Sequence, residues 1–219
     1  MKFEKWQALG NDYLIFEQER LPWELTPTRV EWLCDQHFGI GADGVLLLAK
    51  SDDPEFVADL RIFNPDGSEA ELSGNGAREA ILYLRRHGWT DQEEFAISTV
   101  AGPIRPTITG ELTCSVDMGR ASTASKDFPS GSKDGRGTLE AGGRNWEFQH
   151  VSVGNPQCAI VVGEELEELD LEEIGRGIEG HELFPNRTNV SFLAIDGSRV
   201  RARIFERGGF DVLGSRPTQ

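Results

Sequence analysis

The most informative part of this 219-residue chain reads Phe63-Asn64-Pro65-Asp66-Gly67-Ser68-Glu69-Ala70-Glu71-Leu72-Ser73-Gly74-Asn75-Gly76-Ala77-Arg78. It places the hydroxyl of Ser73 where a glycine-flanked turn leads into an amphipathic helix predicted over residues 77–86. A helix N-terminus offers free N–H groups and a positive dipole end to an anion. We therefore predict a carboxylate or phosphate site beside Ser73. The alternative is that Ser73 only caps the helix and the glycines only form a turn.

Composition favours a small molecule or another protein as the partner over nucleic acid. The chain has 37 acidic and 22 basic residues, a formal net charge of −15. It offers no Lys/Arg cluster that could displace counterions from phosphates. The segment from Met1 to Trp6 lacks an apolar signal core, and no stretch approaches the length of a membrane span. We expect a cytoplasmic protein with no nucleic-acid or membrane partner, built as one large domain or two small ones.

The cysteines and histidines do not form a metal-binding motif. Three cysteines, Cys34, Cys114 and Cys158, are widely separated, which fits free thiols in a reducing compartment. Each is most simply a small core residue. The four histidines, at positions 37, 87, 150 and 181, include no His-x-x-x-His pair. We therefore predict no metal site.

Short apolar segments typical of β-strands alternate with a few helical segments. The strand-like segments are 13–16, 44–48, 60–63, 113–118, 146–153, 158–162, 188–193 and 200–205. Residues 30–37 and 77–87 show helical periodicity. Residues 122–143 have no apolar period and are predicted to form a long surface loop or a hairpin. The acidic residues 163–173 predict a solvated helix with one buried edge.

Six ordered segments carry a resemblance to a known family. They read Leu9-Gly10-Asn11-Asp12-Tyr13, His37-Phe38-Gly39-Ile40-Gly41-Ala42-Asp43-Gly44, residues 63–78, Gly154-Asn155-Pro156, Arg187-Thr188-Asn189-Val190 and Phe205-Glu206-Arg207-Gly208. Together they resemble the diaminopimelate epimerase family, cofactor-independent racemases of lysine and peptidoglycan precursor synthesis. The resemblance extends from residue 1 to at least residue 208.

The resemblance implies a mixed α/β (α+β) fold of two similar domains, each with strands wrapped around a central helix. The active site is expected in the cleft between them. We place the domains at residues 1–117 and 118–219. In the family, one thiol removes the substrate α-proton and a second thiol returns a proton on the opposite face. No cofactor is required, and no lysine here stands in a motif typical of a pyridoxal phosphate Schiff base. The family also implies a homodimer.

The resemblance implies an amino acid substrate, diaminopimelate, whose LL and meso forms are interconverted. Such a substrate has two amino acid ends, which call for amide groups, a helix N-terminus and an arginine. By resemblance, the substrate contacts fall on Asn11, Asn64, Gly74, Asn75, Asn155, Asn189, Glu206 and Arg207. Taken singly, Asn11, Asn64 and Asn155 neighbour Gly, Pro or Asp, and each is more typical of a turn residue.

The chain departs from the family pattern at its catalytic positions. The first catalytic cysteine falls on Ser73, and an alcohol stays protonated at a pH where a thiol, with a pKa of about 8.5, begins to ionise. Gln157 stands where the family usually has a histidine thought to tune a catalytic thiol, and a neutral amide cannot do this. Counted without gaps from Glu206, itself a pKa-modulating position, the second catalytic position falls on Ser215. Asp211 stands in place of a glutamate.

The tail after Gly208 matches the family poorly, so we expect a second domain that lacks its central helix and final strands. Three hypotheses remain open. The chain is a diaminopimelate epimerase, or an impaired truncated paralogue that binds an amino acid or a partner without turnover, or a relative resembling phenazine-pathway isomerases with Glu206 as base. Absence of deuterium exchange at the substrate α-carbon would reject the first hypothesis. Undiminished activity of Glu206→Gln would reject the third.

Overall fold

The computed structural model describes residues 1–117, 119–207 and the backbone of residues 210–212. The chain divides into two compact units, Met1–Gly119 and Arg120–Gln219. Among the described residues, none of the helices has the length and apolarity that a membrane crossing requires.

The first unit is built on a six-stranded sheet and a separate hairpin. The sheet contains β1 (Glu4–Ala8), β2 (Asn11–Glu17), β3 (Val45–Ala49), β4 (Ala58–Phe63) and β5 (Glu69–Ala70) in that order, with β6 (Ile97–Thr99) also beside β4. The pair β2–β3 is parallel, as is β4–β6, whereas the other neighbours are antiparallel. The hairpin consists of β7 (Arg105–Gly110) and β8 (Thr113–Asp117).

Two α-helices complete this unit, α1 (Pro27–Cys34) and α2 (Gly74–Arg86), with a 3₁₀ turn at Gln18–Arg20. The apolar face of α2 repeats at helical intervals, and its members Ala77, Ala80, Ile81 and Leu84 are all completely buried. They pack against side chains of the sheet in one core cluster. The 3.6-residue periodicity of the sequence therefore identifies the face of α2 that covers the sheet.

The helix boundaries differ from the prediction. The first helix was expected over residues 30–37, but α1 starts earlier, at Pro27, a residue whose fixed φ suits a first helical turn. It ends at Cys34 because the next residue, Asp35, accepts the backbone N–H groups of His37 and Phe38 on its Oδ1, at 2.8 and 2.7 Å. The second helix begins at Gly74 instead of residue 77, since Ser73 caps it.

The second unit contains one six-stranded sheet and one α-helix within its described residues. In sheet order the strands are β14 (Phe210–Val212), β13 (Arg199–Glu206), β12 (Asn189–Asp196), β11 (Pro156–Val161), β10 (Arg144–Ser152) and β9 (Arg136–Ala141). Helix α3 (Leu171–Glu179) and a 3₁₀ helix (Gly163–Glu167) connect β11 to β12. Among these described strands, β11–β12 is the one parallel pair, and the other neighbours are antiparallel.

The two units repeat one order of strand pairing. The series β1 to β5 pairs as antiparallel, parallel, antiparallel, antiparallel, and the series β10 to β14 does the same. A helix, α1 or α3, joins the parallel strands in each unit. The predicted mixed α+β fold with two similar units is therefore confirmed.

Two segments of the second unit are more ordered than the sequence alone indicates. Residues 122–143 were expected to form a surface loop or a hairpin, and the hairpin is confirmed, because they include β9, which pairs with β10. Phe128 of this segment is not on the surface, since it is buried against the rings of Phe148 and Phe184. The acidic residues 163–173, predicted as one helix, belong to two elements, the 3₁₀ helix and α3. They are separate because Asp170 accepts the N–H of Glu173 and thereby caps α3.

His150, on β10, is completely buried against the rings of Phe128 and Phe184. Its Nε2 lies 2.9 Å from Oγ of Ser125. Burial lowers the pKa of His150 below its ordinary 6.5, although the nearby Asp127 carboxylate offsets part of this effect. The folded chain therefore keeps this imidazole neutral at a pH where the unfolded chain binds a proton.

We predict that the contribution of His150 to the free energy of unfolding falls as the pH drops below 6.5, because this residue then binds more protons in the unfolded chain than in the folded chain. His150→Gln should lose less stability than the parent between pH 7 and pH 5, measured by urea denaturation. His37→Gln, at an exposed position, is the matched control. Equal losses in the parent and in His150→Gln would contradict the prediction.

Candidate functional site

Motifs of the first unit meet at one end of its sheet. Strands β2 and β3 run parallel, so both start at the same end of the sheet, and β4 runs antiparallel to β3, so it finishes at that end. Asn11 is the first residue of β2, Asp43 lies just before β3, and Asn64 directly follows β4. The pairing order therefore gathers three segments that are far apart in the sequence.

Hydrogen bonds connect Asn11 to its neighbours. Its Nδ2 donates to Oδ2 of Asp43 at 3.1 Å, and the same oxygen accepts the backbone N–H of Asp12 at 2.9 Å. Nδ2 of Asn75 donates to Oδ1 of Asn11 at 3.4 Å, and Arg78 donates to Oδ1 of Asn75. The two amide groups are thus oriented by each other and by charged neighbours.

The N-terminus of α2 lies at the same place, because Asn75 belongs to its first turn. Ser73 is the N-cap, with an extended backbone, and its Oγ accepts the N–H of Gly76 at 3.2 Å. Within the described residues, no hydrogen-bond acceptor meets the N–H groups of Gly74 and Asn75, and Gly74 is exposed. This is the arrangement that a carboxylate or phosphate site needs.

Ser73 accepts a second hydrogen bond, from Oη of Tyr13 at 3.0 Å. A hydroxyl carries one proton and two acceptor lone pairs. The Tyr13 hydroxyl and the Gly76 N–H occupy both acceptor positions, so the proton of Ser73 points away from them. No local sequence pattern predicts this contact, because Tyr13 and Ser73 are 60 residues apart.

Asn64 stabilises its own turn. Its Nδ2 donates to Oγ of Ser68 at 2.9 Å, and its backbone N–H donates to the carbonyl of Ser68 at 2.8 Å. The N–H of Gly67 returns a bond to the carbonyl of Asn64 at 3.0 Å. Asn64 therefore acts as a turn residue, the alternative interpretation of its sequence context, and its contact with a substrate stays a prediction.

The second unit gathers its motifs in the same way. The parallel strands β11 and β12 begin at Pro156 and Asn189, and the antiparallel β13 ends at Glu206 beside them. Asn189 donates from Nδ2 to the carbonyl of Pro156 at 3.2 Å, and its Oδ1 accepts the backbone N–H of Arg207 at 2.8 Å. Asn189 therefore links all three segments at one end of this sheet.

The remaining predicted residues of this unit lie close to that link. Asn155 is half-buried and precedes β11, next to Gly154, whose φ of +105° is a conformation that favours glycine. Glu206 is exposed and Arg207 is half-buried. Ser215 lies outside the described residues. The cleft between the two units stays a prediction, as does the role of each residue in it.

Glu79 is a buried carboxyl that the sequence analysis did not single out. It lies on α2, one turn after Asn75, and is 2% exposed. Its pKa is raised to about 8, mainly by burial and in addition by the carboxylates of Asp12 and Asp43, while Arg78 acts in the opposite direction. The N–H of Ala8 also favours the ionised form, although neither oxygen has a partner of full hydrogen-bond geometry.

The three cysteines do not supply the missing thiol. Cys34 and Cys158 are buried, and Cys114 is half-buried in the core of the first unit. Burial raises the pKa of Cys34 to about 12, and it raises the pKa of Cys114 and of Cys158. A thiol with a raised pKa is a poor base at neutral pH, because the thiolate is scarce. The prediction of free thiols in core positions agrees with this burial.

Two surface hollows lie away from these residues. One, of about 460 Å³, is lined by the acidic side of α3, and the other, of about 270 Å³, is lined by Met1, Trp23, Arg29, Trp32 and Leu33. Neither contains a residue of the predicted site.

Comparison with known proteins identifies related chains. The family model for diaminopimelate epimerase matches residues 3–124. Diaminopimelate epimerase 2 of Nostoc sp. (strain PCC 7120) is 40% identical, with 98% of this chain and 76% of the relative covered. The diaminopimelate epimerase of Synechococcus sp. (strain JA-3-3Ab) is 39% identical, with 95% and 76% covered.

Solved structures extend the likeness of the fold. A crystal structure of a probable proline racemase from Agrobacterium radiobacter K84 has a TM-score of 0.67 with this chain. It is 14% identical, and the match covers 95% of this chain and 71% of that one. At this level of identity the likeness shows the fold alone.

Replacing Glu79 with Gln should change the pH dependence of stability. The folded chain holds the Glu79 proton up to a pKa of about 8, against an ordinary 4.5, so stability is lost as the pH rises through this window. Glu79→Gln keeps the shape of the side chain and removes this loss. Urea denaturation at pH 5 and pH 8 measures the difference.

The exposed Glu147→Gln controls for the loss of one negative charge. The parent and this control should lose stability alike between pH 5 and pH 8, whereas Glu79→Gln should lose less. The same loss in all three proteins would contradict the prediction.

Proposed function

The chain belongs to the diaminopimelate epimerase family, and we propose that it binds diaminopimelate and interconverts its LL and meso forms without a cofactor. The observation that carries this proposal is the N-terminus of α2, where the cap Ser73 and the open N–H groups of Gly74 and Asn75 lie beside Asn11. The identity of 40% to a diaminopimelate epimerase over 98% of this chain supports the choice of substrate.

The α-carboxylate of the substrate binds at the N-terminus of α2. The N–H groups of Gly74 and Asn75 donate to its oxygens, and the positive end of the helix dipole stabilises its charge. The amide group of Asn11, oriented by Asp43 and Asn75, contacts the same end of the substrate. The α-carbon then lies next to the side chain at position 73.

The second unit binds the substrate through the residues where β11 and β12 begin and β13 ends. Arg207 offers a guanidinium suited to a bidentate grip on a carboxylate, and Glu206 offers a carboxylate for an ammonium group. Asn155 and Asn189 supply neutral amides. The bond from the Arg207 N–H to Asn189 supports this proposal, because it ties two of these residues together at 2.8 Å.

A count along the repeat supports Ser215 as the counterpart of Ser73. Ile62 pairs with Ala70 in the first unit, and Ile204 pairs with Val212 in the second. Each residue of the second pair lies 142 positions after the corresponding residue of the first pair. The same offset leads from Ser73 to Ser215. This count agrees with the gap-free count from Glu206.

The reaction requires a base that removes the α-proton and an acid that returns a proton to the opposite face. Ser73 is a weak base, because its pKa lies far above neutral pH and two donors already occupy its oxygen. It can donate its proton. We therefore expect slow turnover, limited by proton removal.

The same observation supports a second candidate function, amino acid binding without turnover. A hydroxyl that can only donate would hold a ligand well and would leave its α-proton in place. The two functions differ in α-hydrogen exchange, because binding alone leaves this hydrogen unexchanged.

A homodimer remains a prediction from the family, and a cytoplasmic location remains a prediction from the sequence. Light scattering in solution measures the oligomeric state. Fractionation of the producing cell measures the location.

Ser73→Cys should raise the rate of deuterium exchange at the substrate α-carbon by about a hundredfold to ten-thousandfold, because a thiol titrates near neutral pH and a hydroxyl does not. Proton NMR of diaminopimelate in D₂O measures this rate for the parent and the variant. Ser73→Ala, which lacks any polar group at this position, is the control.

The outcomes separate the candidates. Exchange in the parent supports the epimerase. Binding in titration calorimetry with no exchange in the parent, and gain of exchange in Ser73→Cys, supports binding without turnover. A Ser73→Cys protein that binds diaminopimelate but exchanges no faster than Ser73→Ala would reject position 73 as a catalytic position.

A further inference from the structure

The side chain at position 73 lies between two hydrogen-bond donors from different elements. Tyr13 Oη, from β2, is 3.0 Å from Ser73 Oγ, and the Gly76 N–H, from the first turn of α2, is 3.2 Å from it. The second donor is an ordinary helix cap. The Tyr13 hydroxyl is not part of the helix cap, because it comes from strand β2.

The ring of Tyr13 is held in place by the packing around it. The residue is 6% exposed and belongs to the core cluster between the sheet and α2. Gly44 leaves room for the ring, because a Cβ at this position would lie 2.6 Å from Tyr13 Cε1 and 2.5 Å from the carbonyl of Phe63. The hydroxyl therefore reaches Ser73 from a fixed direction.

Two donors aimed at one oxygen stabilise a negative charge on that atom. Hydrogen bonds to the ionised form of a group lower its pKa, and a helix N-terminus acts in the same sense. With serine at position 73 this effect is too small to produce an alkoxide near neutral pH. The surroundings therefore suit a thiolate better than the hydroxyl that occupies them.

We propose that Tyr13 is a positioning residue of this site, which orients the side chain at position 73 and stabilises its deprotonated form through the phenol hydroxyl. With Ser73 in place, the Tyr13 bond turns the serine proton outward, so that serine acts as a donor to the ligand. With a thiol in place, the same bond lowers the thiol pKa. The proposal gives Tyr13 a role in the reaction that we propose for this site, and it can be measured without substrate.

The test uses Ser73→Cys with and without Tyr13→Phe, which removes one hydroxyl and keeps the ring. The rate of carbamidomethylation of Cys at position 73 by iodoacetamide, followed by mass spectrometry from pH 6 to pH 10, gives its pKa. We expect a value below the ordinary value of about 8.5 in the single variant, and a rise of about one pH unit when Tyr13→Phe is added. Mass spectrometry separates this peptide from those of Cys34, Cys114 and Cys158.

The chain offers a matched control in its only other tyrosine, Tyr83. Tyr83 also lies in the core beside α2, and its Oη donates to Oε1 of Glu17 at 2.8 Å instead of position 73. Tyr83→Phe combined with Ser73→Cys should leave the pKa of the new thiol unchanged. Equal pKa values in the Tyr13→Phe and Tyr83→Phe backgrounds would overturn the proposal.

Other charged groups around this end of the unit are the same in every variant. They are Lys5 on β1, Asp12 on β2, Asp43 before β3, and Arg78 and Glu79 on α2. The difference between the two backgrounds therefore reports on the Tyr13 hydroxyl alone. Near-ultraviolet circular dichroism checks that each variant is folded.

A second variant covers the case in which Tyr13→Phe does not fold. Gly44→Ala retains the phenol but displaces its ring, and it should raise the pKa of the thiol in Ser73→Cys in the same direction. An unchanged pKa in a folded Gly44→Ala protein would count against the proposal.

Exchange of the substrate α-hydrogen gives a readout that depends on the proposed function. In Ser73→Cys, the rate should rise with pH as the thiol ionises, and Tyr13→Phe should move this rise to higher pH by the shift seen in alkylation. Absence of exchange with an intact alkylation shift would reject the epimerase and retain the role of Tyr13. Exchange of the α-hydrogen without a shift of the thiol pKa in alkylation would retain the epimerase and reject the role of Tyr13.

Discussion

One hydroxyl oxygen, Oγ of Ser73, accepts the N–H of Gly76 and the hydroxyl of Tyr13, and through these two bonds it joins the start of α2 to β2. The first bond determines where the helix begins. The second couples that start to the buried core of the sheet. The open N–H groups of Gly74 and Asn75 are consequently presented at the sheet edge next to Asn11, which makes this turn both a structural junction and a candidate anion site.

The repeated pairing order explains why motifs so distant in sequence share one place. In each unit, the two parallel strands start at one end of the sheet, and their antiparallel neighbour finishes there. Asn11 and Asn64 lie at this end in the first unit, as Asn189 and Glu206 do in the second. The two similar units thus present similar sets of polar residues at corresponding ends of their sheets.

Buried polar groups give this acidic chain its sensitivity to pH. Glu79 holds a proton well above the usual pKa of a carboxyl, and His150 resists protonation, because burial in each case disfavours the charged form. The two effects act in opposite directions, since stability falls with rising pH at Glu79 and with falling pH at His150. Both groups lie on elements that support a site edge, α2 and β10.

The family, the fold class, the amphipathic face of α2 and the place of Ser73 before that helix could all be predicted from the sequence, because they depend on local pattern and on ordered motifs. The sequence pattern did not predict that Phe128 is buried within the expected loop, that Tyr13 bonds Ser73, or that Glu79 is buried beside Asp12. These contacts join residues far apart in the chain, and local periodicity carries no information on which strand lies next to which. They become visible in the folded chain, because burial and donor direction arise when strands and helices pack together.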